Sequence, residues 1–212
     1  MAINLNNAQN GYTLIFDESS PPLRNNSPND LLYVVGGGLL TSHSVSDIAA
    51  EAVRVNNPSK KPFHWAGKNP AGKTKRLAML QLASNPAVTP IAAFCVCKPR
   101  EQEEARRLCL LSLLQTTKNY DVRKILIESR EGSLKNVGQN RIDSQAITQG
   151  RHEGIHVQAK YDWFDKTEPI GWLADAIVGA IAFGQRDLEP DDRIGLNFLE
   201  SISTVKAANL DI

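Results

Sequence analysis

Tyr12-Thr13-Leu14-Ile15-Phe16-Asp17-Glu18-Ser19-Ser20-Pro21-Pro22 is an apolar, β-prone run that breaks into acids, serines and prolines. The first five residues predict a strand, and the acids and prolines predict its end at Phe16. Leu31 to Leu40 reads as a second strand. The Asn-, Pro- and Ser-rich loop between them is short enough for an antiparallel pair. Gly36-Gly37-Gly38 inside the second run marks either a bulge, the commoner cause, or a point where another backbone or a ligand comes close.

Working outward, Ser44 or Ser46 can cap a helix reaching Val55, and Ala71 to Ser84 reads as another. Thr89 to Val96 is a third strand. Arg100 to Thr117 is a helix whose apolar stripe is Ala105, Leu108, Cys109, Leu111 and Leu114, which places Arg106 and Arg107 on an exposed face. Val122 to Ile127 is a fourth strand ending at Glu128. There follow a helix over Gln139–Gln149, a fifth strand over Ile155–Tyr161, an apolar helix over Ile170–Phe183, and a last helix near Ile194–Ala207, inside 191–208. Strands alternating with helices in the second half imply parallel crossovers, whereas the first two strands pair as a hairpin. The expectation is one α/β domain with a core over about residues 12–185, built on a mixed five-stranded sheet flanked by helices.

The bulk composition constrains partners. With 24 basic and 23 acidic residues among 212, the formal charge is +1, so any nucleic-acid contact must come from a local patch. Cys95, Cys97 and Cys109 lack the spacing of a disulfide framework, and Met1 to Gly11 lacks a signal-peptide core, so a reduced, cytoplasmic setting is expected. The most apolar stretch, Ile170 to Gly184, carries Asp175 and falls short of the roughly 20 apolar residues that span a bilayer.

Asp175 raises the chemical question, because a carboxylate in an apolar helix costs several kcal/mol to bury without a partner. A structural salt bridge and a metal ion are the two accounts. Glu128 ends a strand that should be central, where open α/β sheets place ligands, and Asp17 ends the first strand. Acids at strand ends can be turn residues, but three from distant segments suit a hard divalent cation such as Mg²⁺ or Mn²⁺. Two such ions activate water and stabilise the leaving oxygen in phosphodiester cleavage. Glu18 and Asp143 are further candidate ligands. By the pleat, however, Glu18 should point away from Asp17, and Asp143 can be read as a solvated helix residue.

Phe16-Asp17-Glu18-Ser19, Val34-Val35-Gly36-Gly37-Gly38, Phe63-His64-Trp65 and Trp172-Leu173-Ala174-Asp175-Ala176 with Gly179-Ala180 resemble, in that order, the family called domain of unknown function 3800. Glu104-Ala105-Arg106-Arg107 with Cys109, Ile127-Glu128-Ser129-Arg130 and Asn140-Arg141-Ile142-Asp143 look like a bacterial branch of it. The resemblance covers about residues 12–185. It implies a ribonuclease-H-like fold with Asp17, Glu128 and Asp175 at the acidic site, Asp143 beside them, and Glu18 and His64 as auxiliaries. Ser20 departs from the glycine that many members carry after Asp-Glu-Ser, which affects the shape of that turn. The family has no settled substrate.

Other signals compete. Gly67-Lys68-Asn69-Pro70-Ala71-Gly72-Lys73-Thr74 satisfies the phosphate-loop pattern, but Lys60-Lys61-Pro62 stands where its buried strand belongs. The same segment reads as a basic face in which Lys68, Lys73, Lys75 and Arg76 meet phosphates while Trp65 stacks on bases, or as an ordinary solvated helix. Cys95 and Cys97 share a strand face and are read as core. His152 and His156 are separated by a helix-breaking Gly154. The expected function is a metal-dependent nuclease, with Lys73, Lys75, Arg76, Arg130 and Arg141 gripping nucleic acid. The alternatives are a non-catalytic nucleic-acid- or protein-binding module and a phosphate-loop nucleotidase. No membrane contact is expected, and a homo-oligomer or protein partner is compatible with the chain.

Overall fold

The strand that begins at Tyr12 does not stop at Phe16 but carries Asp17, Glu18 and Ser19 within it, so β1 spans Tyr12–Ser19. The computed structural model describes residues 11–22, 30–57, 61–66, 71–130, 140–184 and 203–206. Its other strands are β2 (Leu31–Thr41), β3 (Val88–Cys97), β4 (Val122–Glu128), β5 (Lys160–Phe164) and β6 (Ser203–Lys206). The helices are α1 (Val45–Asn56), α2 (Lys73–Ala83), α3 (Gln102–Thr116), α4 (Asn140–His152) and α5 (Pro169–Gly184). Among the described residues no helix is long and apolar enough to cross a membrane.

The sheet order is β5-β4-β1-β2-β3-β6. β1, β2 and β3 form an antiparallel meander, while β4 joins β1, and β5 joins β4, in parallel. The architecture is therefore α/β with a mixed sheet, and the five expected strands are all present. The sixth corrects the expected C-terminal helix. Ser203–Lys206 pairs in parallel with Ile91–Phe94 of β3, meeting edge N–H and C=O groups that would otherwise lack ladder partners. The remainder of 191–208 lies outside the described residues.

β5 also begins later than Ile155. Helix α4 ends in a left-handed Gly154 with φ +80°, and the Ile155 and Gly154 N–H groups bond back to the carbonyls of Gly150 and Arg151 at 2.8 and 3.0 Å. This paired closure occupies Ile155 in capping the helix rather than starting a strand. Ser44 stands at the α1 N-cap position, but its hydroxyl meets Thr41 Oγ1 at 2.8 Å instead of the helix backbone.

The two faces of the sheet bury separate cores, and the pleat of β1 divides them. Leu14 and Phe16 pack towards α3 and α4 with Tyr33, Val35, Ile125 and Ile127, while Ile15 packs towards α1, α2 and α5 with Val34, Ile177 and Ile181. Cys95 and Cys97 do share a buried face, the one beneath α3, and all three cysteines are free thiols. The glycine triplet is not a bulge: the β1–β2 register runs without interruption from Tyr12↔Thr41 to Ser19↔Val34. Its role is close approach. A Cβ at Gly37 would lie 1.9 Å from the Ile15 carbonyl oxygen and 3.2 Å from Ala174 Cβ of α5. Gly37 thus lets the apolar helix settle onto the centre of the sheet, and with it Asp175, the next residue along. Gly37→Ala should cost about 3 kcal/mol or more, because backbone rather than a mobile side chain must yield. A thermal melt unchanged from the parent would contradict this packing.

Candidate functional site

Alternation along β1 sends Asp17 to the face of Ile15 and Glu18 to the opposite one. On β4 the same period puts Glu128 on the face of Leu126, away from Ile125 and Ile127. Because Ile15 pairs with Leu126 in the parallel ladder, Asp17 and Glu128 come side by side as the two strands end. Helix α5 covers this face and brings down Asp175, so three acids from distant segments come within electrostatic reach of one another. They interact strongly. Burial, and then the charges of Glu128 and Asp175, hold the Asp17 carboxyl well above the ordinary carboxylate range. Burial together with Glu128 pushes Asp175 up to about 7, even though its Oδ2 accepts the Trp65 N–H at 2.9 Å.

Asp175 is thus placed by a main-chain donor in a strap lying over α5. The strap is seated by Trp65, whose ring would collide with any Cβ at Gly179, the nearest atom being 2.1 Å away. Arg76 lies over that indole, 5.1 Å from the ring centroid, and its charge reaches Asp175. His64 is half-exposed, with Nδ1 3.8 Å from Asp175 Oδ2. Trp65 is itself buried, which corrects the expectation that it stacks on bases: it packs α5 instead.

A residue that sequence reading missed stands beside the trio. Lys166, in the turn between β5 and α5, puts Nζ 3.1 Å from Glu128 Oε1. Burial alone would lower its pKa, but Glu128, Asp17 and Asp175 together raise it. The turn is held by the Trp172 indole N–H, which donates to the Lys166 carbonyl at 3.1 Å, and by Asp165 Oδ1, which accepts the Thr167 N–H at 2.9 Å. The only sequence signal was position, one lysine just before an apolar helix. A cavity of about 350 Å³ opens where the strands end, bordered by Asp17, Glu128, Lys166, Ser19, Ser20 and Arg130, with Glu18 and Arg106 on its other side.

Glu18 and Asp143 do not join the trio. Arg106 of α3, expected on an exposed face, is 2% exposed and lies on the opposite side of the sheet. The buried stripe of α3 is Ala105, Arg106, Cys109, Leu110, Leu113 and Leu114, rotated from the expected one because the guanidinium finds two acids there. Its Nε and Nη2 donate to Asp143 Oδ1 and Oδ2 at 2.5 and 2.9 Å, and its Nη1 donates to Glu18, which also accepts the Tyr33 hydroxyl. Asp143 is therefore a fully buried ion-pair partner and not a solvated helix residue. Burial pushes Glu18 up, but Arg106, the Tyr33 hydroxyl and Arg130 outweigh it and leave the carboxyl below its usual range.

The expected nucleic-acid contacts are scattered. Lys73 and Arg141 are exposed. Lys75 donates to the Asn56 carbonyl at 2.7 Å and ties α2 to the end of α1. Arg130 meets both Glu103 oxygens at 2.9 and 3.1 Å. Lys68 lies outside the described residues. The phosphate-loop pattern lacks its strand, since 61–66 has no regular structure ahead of α2.

Two outcomes follow from the contrast between a neutralised and a repelling cluster. Asp143→Ala leaves a buried guanidinium short of a partner and should cost about 3–5 kcal/mol. At about 2–4 °C per kcal/mol for a chain of this size, a melt reads it readily, and an unchanged Tm would remove Asp143 from the framework. Asp175 behaves in the opposite sense. Its folded pKa of about 7 lies above its ordinary 3.8, so between those values the folded protein holds more protons than the unfolded chain. In chelator, stability should therefore fall as pH rises through that window, and Asp175→Asn should make the slope shallower, the remainder belonging to Asp17. Melts of both proteins across the window decide it, and a parent whose stability rises there would contradict the placement.

Comparison with protein-family models, with curated proteins and with solved structures finds no match to this chain.

Proposed function

We propose that the chain is a divalent-metal-dependent nuclease on a ribonuclease-H-like fold, hydrolysing nucleic-acid phosphodiester bonds at Asp17, Glu128 and Asp175. The observation that carries the reading is the convergence of these three carboxylates, from β1, β4 and α5, on one sheet face at the carboxyl end of two parallel strands. The antiparallel meander β1-β2-β3, continued by parallel β4 and β5, supports the fold assignment, as does the resemblance of the motifs along the chain.

The donor set fits a hard cation. Carboxylate oxygens are the preferred ligands of Mg²⁺ and Mn²⁺, and acids that raise each other's proton affinity are acids that a cation would relieve. Among the described residues, no three His, Cys, Asp or Glu side chains are already gathered into a metal-holding group. Asp17, Glu128 and Asp175 would hold the ion once their side chains draw together around it, with His64 beside Asp175. When bound, it supplies an activated water and charge stabilisation at the leaving oxygen.

The chain's own residues do the rest. The Trp65 N–H aims one Asp175 oxygen and leaves the other for a ligand. Glu18 and Asp143 hold Arg106 on the opposite face, which fixes the end of β1, and Arg130 ties the end of β4 to Glu18 and Glu103. Lys166 at the cavity rim offers a cation to a phosphate backbone.

Labelled single-stranded, duplex and hybrid nucleic acids incubated with Mg²⁺ or Mn²⁺ test the proposal directly. Cleavage of at least one substrate is expected, lost in chelator and reduced at least a hundredfold, about 2.7 kcal/mol, by Asp17→Asn or Asp175→Asn. Binding that is indifferent to chelator, with no products under either metal, would show a binding module instead.

A further inference from the structure

Lys166 combines contact with the trio and exposure to solvent. Its Nζ is 3.1 Å from Glu128 Oε1, and its charge also acts on Asp17 and Asp175, yet the side chain is 63% exposed. Arg106, by contrast, is locked between two acids in the core. The Lys166 main chain is pinned by the Trp172 indole, and the residue begins the turn that leads into α5, the helix bearing Asp175. Four flexible methylene groups therefore swing from a fixed base over the mouth of the cavity.

We propose that Lys166 is a built-in counter-cation: its ammonium occupies the neighbourhood of the carboxylate trio when no metal is bound, gives way to the divalent ion, and then serves as a contact for an anionic phosphate at the rim. This rests on the metal-site reading above. The physics is competition. A monovalent ammonium and a divalent cation seek the same carboxylate oxygens, so the lysine weakens metal binding while limiting repulsion in the metal-free protein. Once displaced, it has Ser19 and Ser20 as neighbours around the same cavity, polar residues suited to a phosphate oxygen.

The test is titration calorimetry of Mg²⁺ and of Mn²⁺ into the parent, Lys166→Met and Asp175→Asn, with thermal melts of each in chelator. Lys166→Met keeps the stem but removes the charge. It is expected to bind metal about tenfold more tightly, about 1.4 kcal/mol, and to melt lower than the parent in chelator. Lys166→Arg, which keeps a cation, should bind within a few-fold of the parent; this separates charge from a packing effect and serves if the methionine variant folds poorly. If the parent binds metal and Asp175→Asn does not, but Lys166→Met binds as the parent does, the counter-cation is wrong and the metal site stands. If neither the parent nor Lys166→Met binds either metal, both readings fall. Weaker metal binding in Lys166→Met would also overturn the inference, since it would make the lysine a support of the site and not a competitor for it.

Discussion

The pleat of β1 at Asp17-Glu18 is the constraint on which the rest of the molecule turns. Two adjacent acids in a strand must face opposite ways, so one enters each core. Each core then has to accommodate a carboxylate, and the two sides do so by opposite means. Beneath α3 and α4, Arg106 donates to both Glu18 and Asp143, and Glu18 also accepts the Tyr33 hydroxyl, a network that matches donors to acceptors. Beneath α5, Asp17 meets two more acids. A one-residue slip in the register of β1 would exchange these environments and leave both unsatisfied, so the pairing of β1 with β2 and β4 is specified by charge as well as by apolar packing.

The two clusters are linked mechanically. Arg130 follows Glu128 by two residues and reaches Glu18 at 3.9 Å and Glu103 at 2.9 Å, which ties the end of β4 to β1 and α3. From the other face, the Trp65 strap and the Gly37 contact press α5 onto the sheet. A site made of mutually repelling carboxylates needs such bracing, because repulsion alone would spread them. Positive charge is buried between two acids on one side of the sheet, at Arg106, and exposed at the rim on the other, at Lys166.

Much of this was legible in the sequence. The period-2 runs and the spacing of apolar residues predicted five strands and six helices, of which the last is overturned at Ser203–Lys206, and β1's alternation foretold that Glu18 would leave Asp17. Asp175 was conspicuous because an acid in an apolar helix has few explanations. What could not be read was tertiary pairing. Arg106 looked like a surface residue because the acids that bury it lie 37 and 88 positions away in the chain. Lys166 carries no local pattern at all, its significance depending on β5 lying beside β4. The strand at Ser203–Lys206 is a case in which an unpaired sheet edge decides between helix and strand for a segment whose own propensities do not.

The asymmetry between Asp143 and Asp175 shows why burial alone does not identify a functional carboxylate. Asp143 is the more deeply buried, yet both its oxygens are met by one guanidinium in a two-point geometry that leaves nothing for a ligand to gain. Asp175 has one oxygen held by a main-chain N–H and sits in the field of two other acids. Removing the first partner exposes a cost, whereas adding a cation beside the second relieves one. The distinction that matters is therefore whether the local charge is balanced, and among the described residues the acids on the α5 face of the sheet are the ones that raise each other's proton affinity.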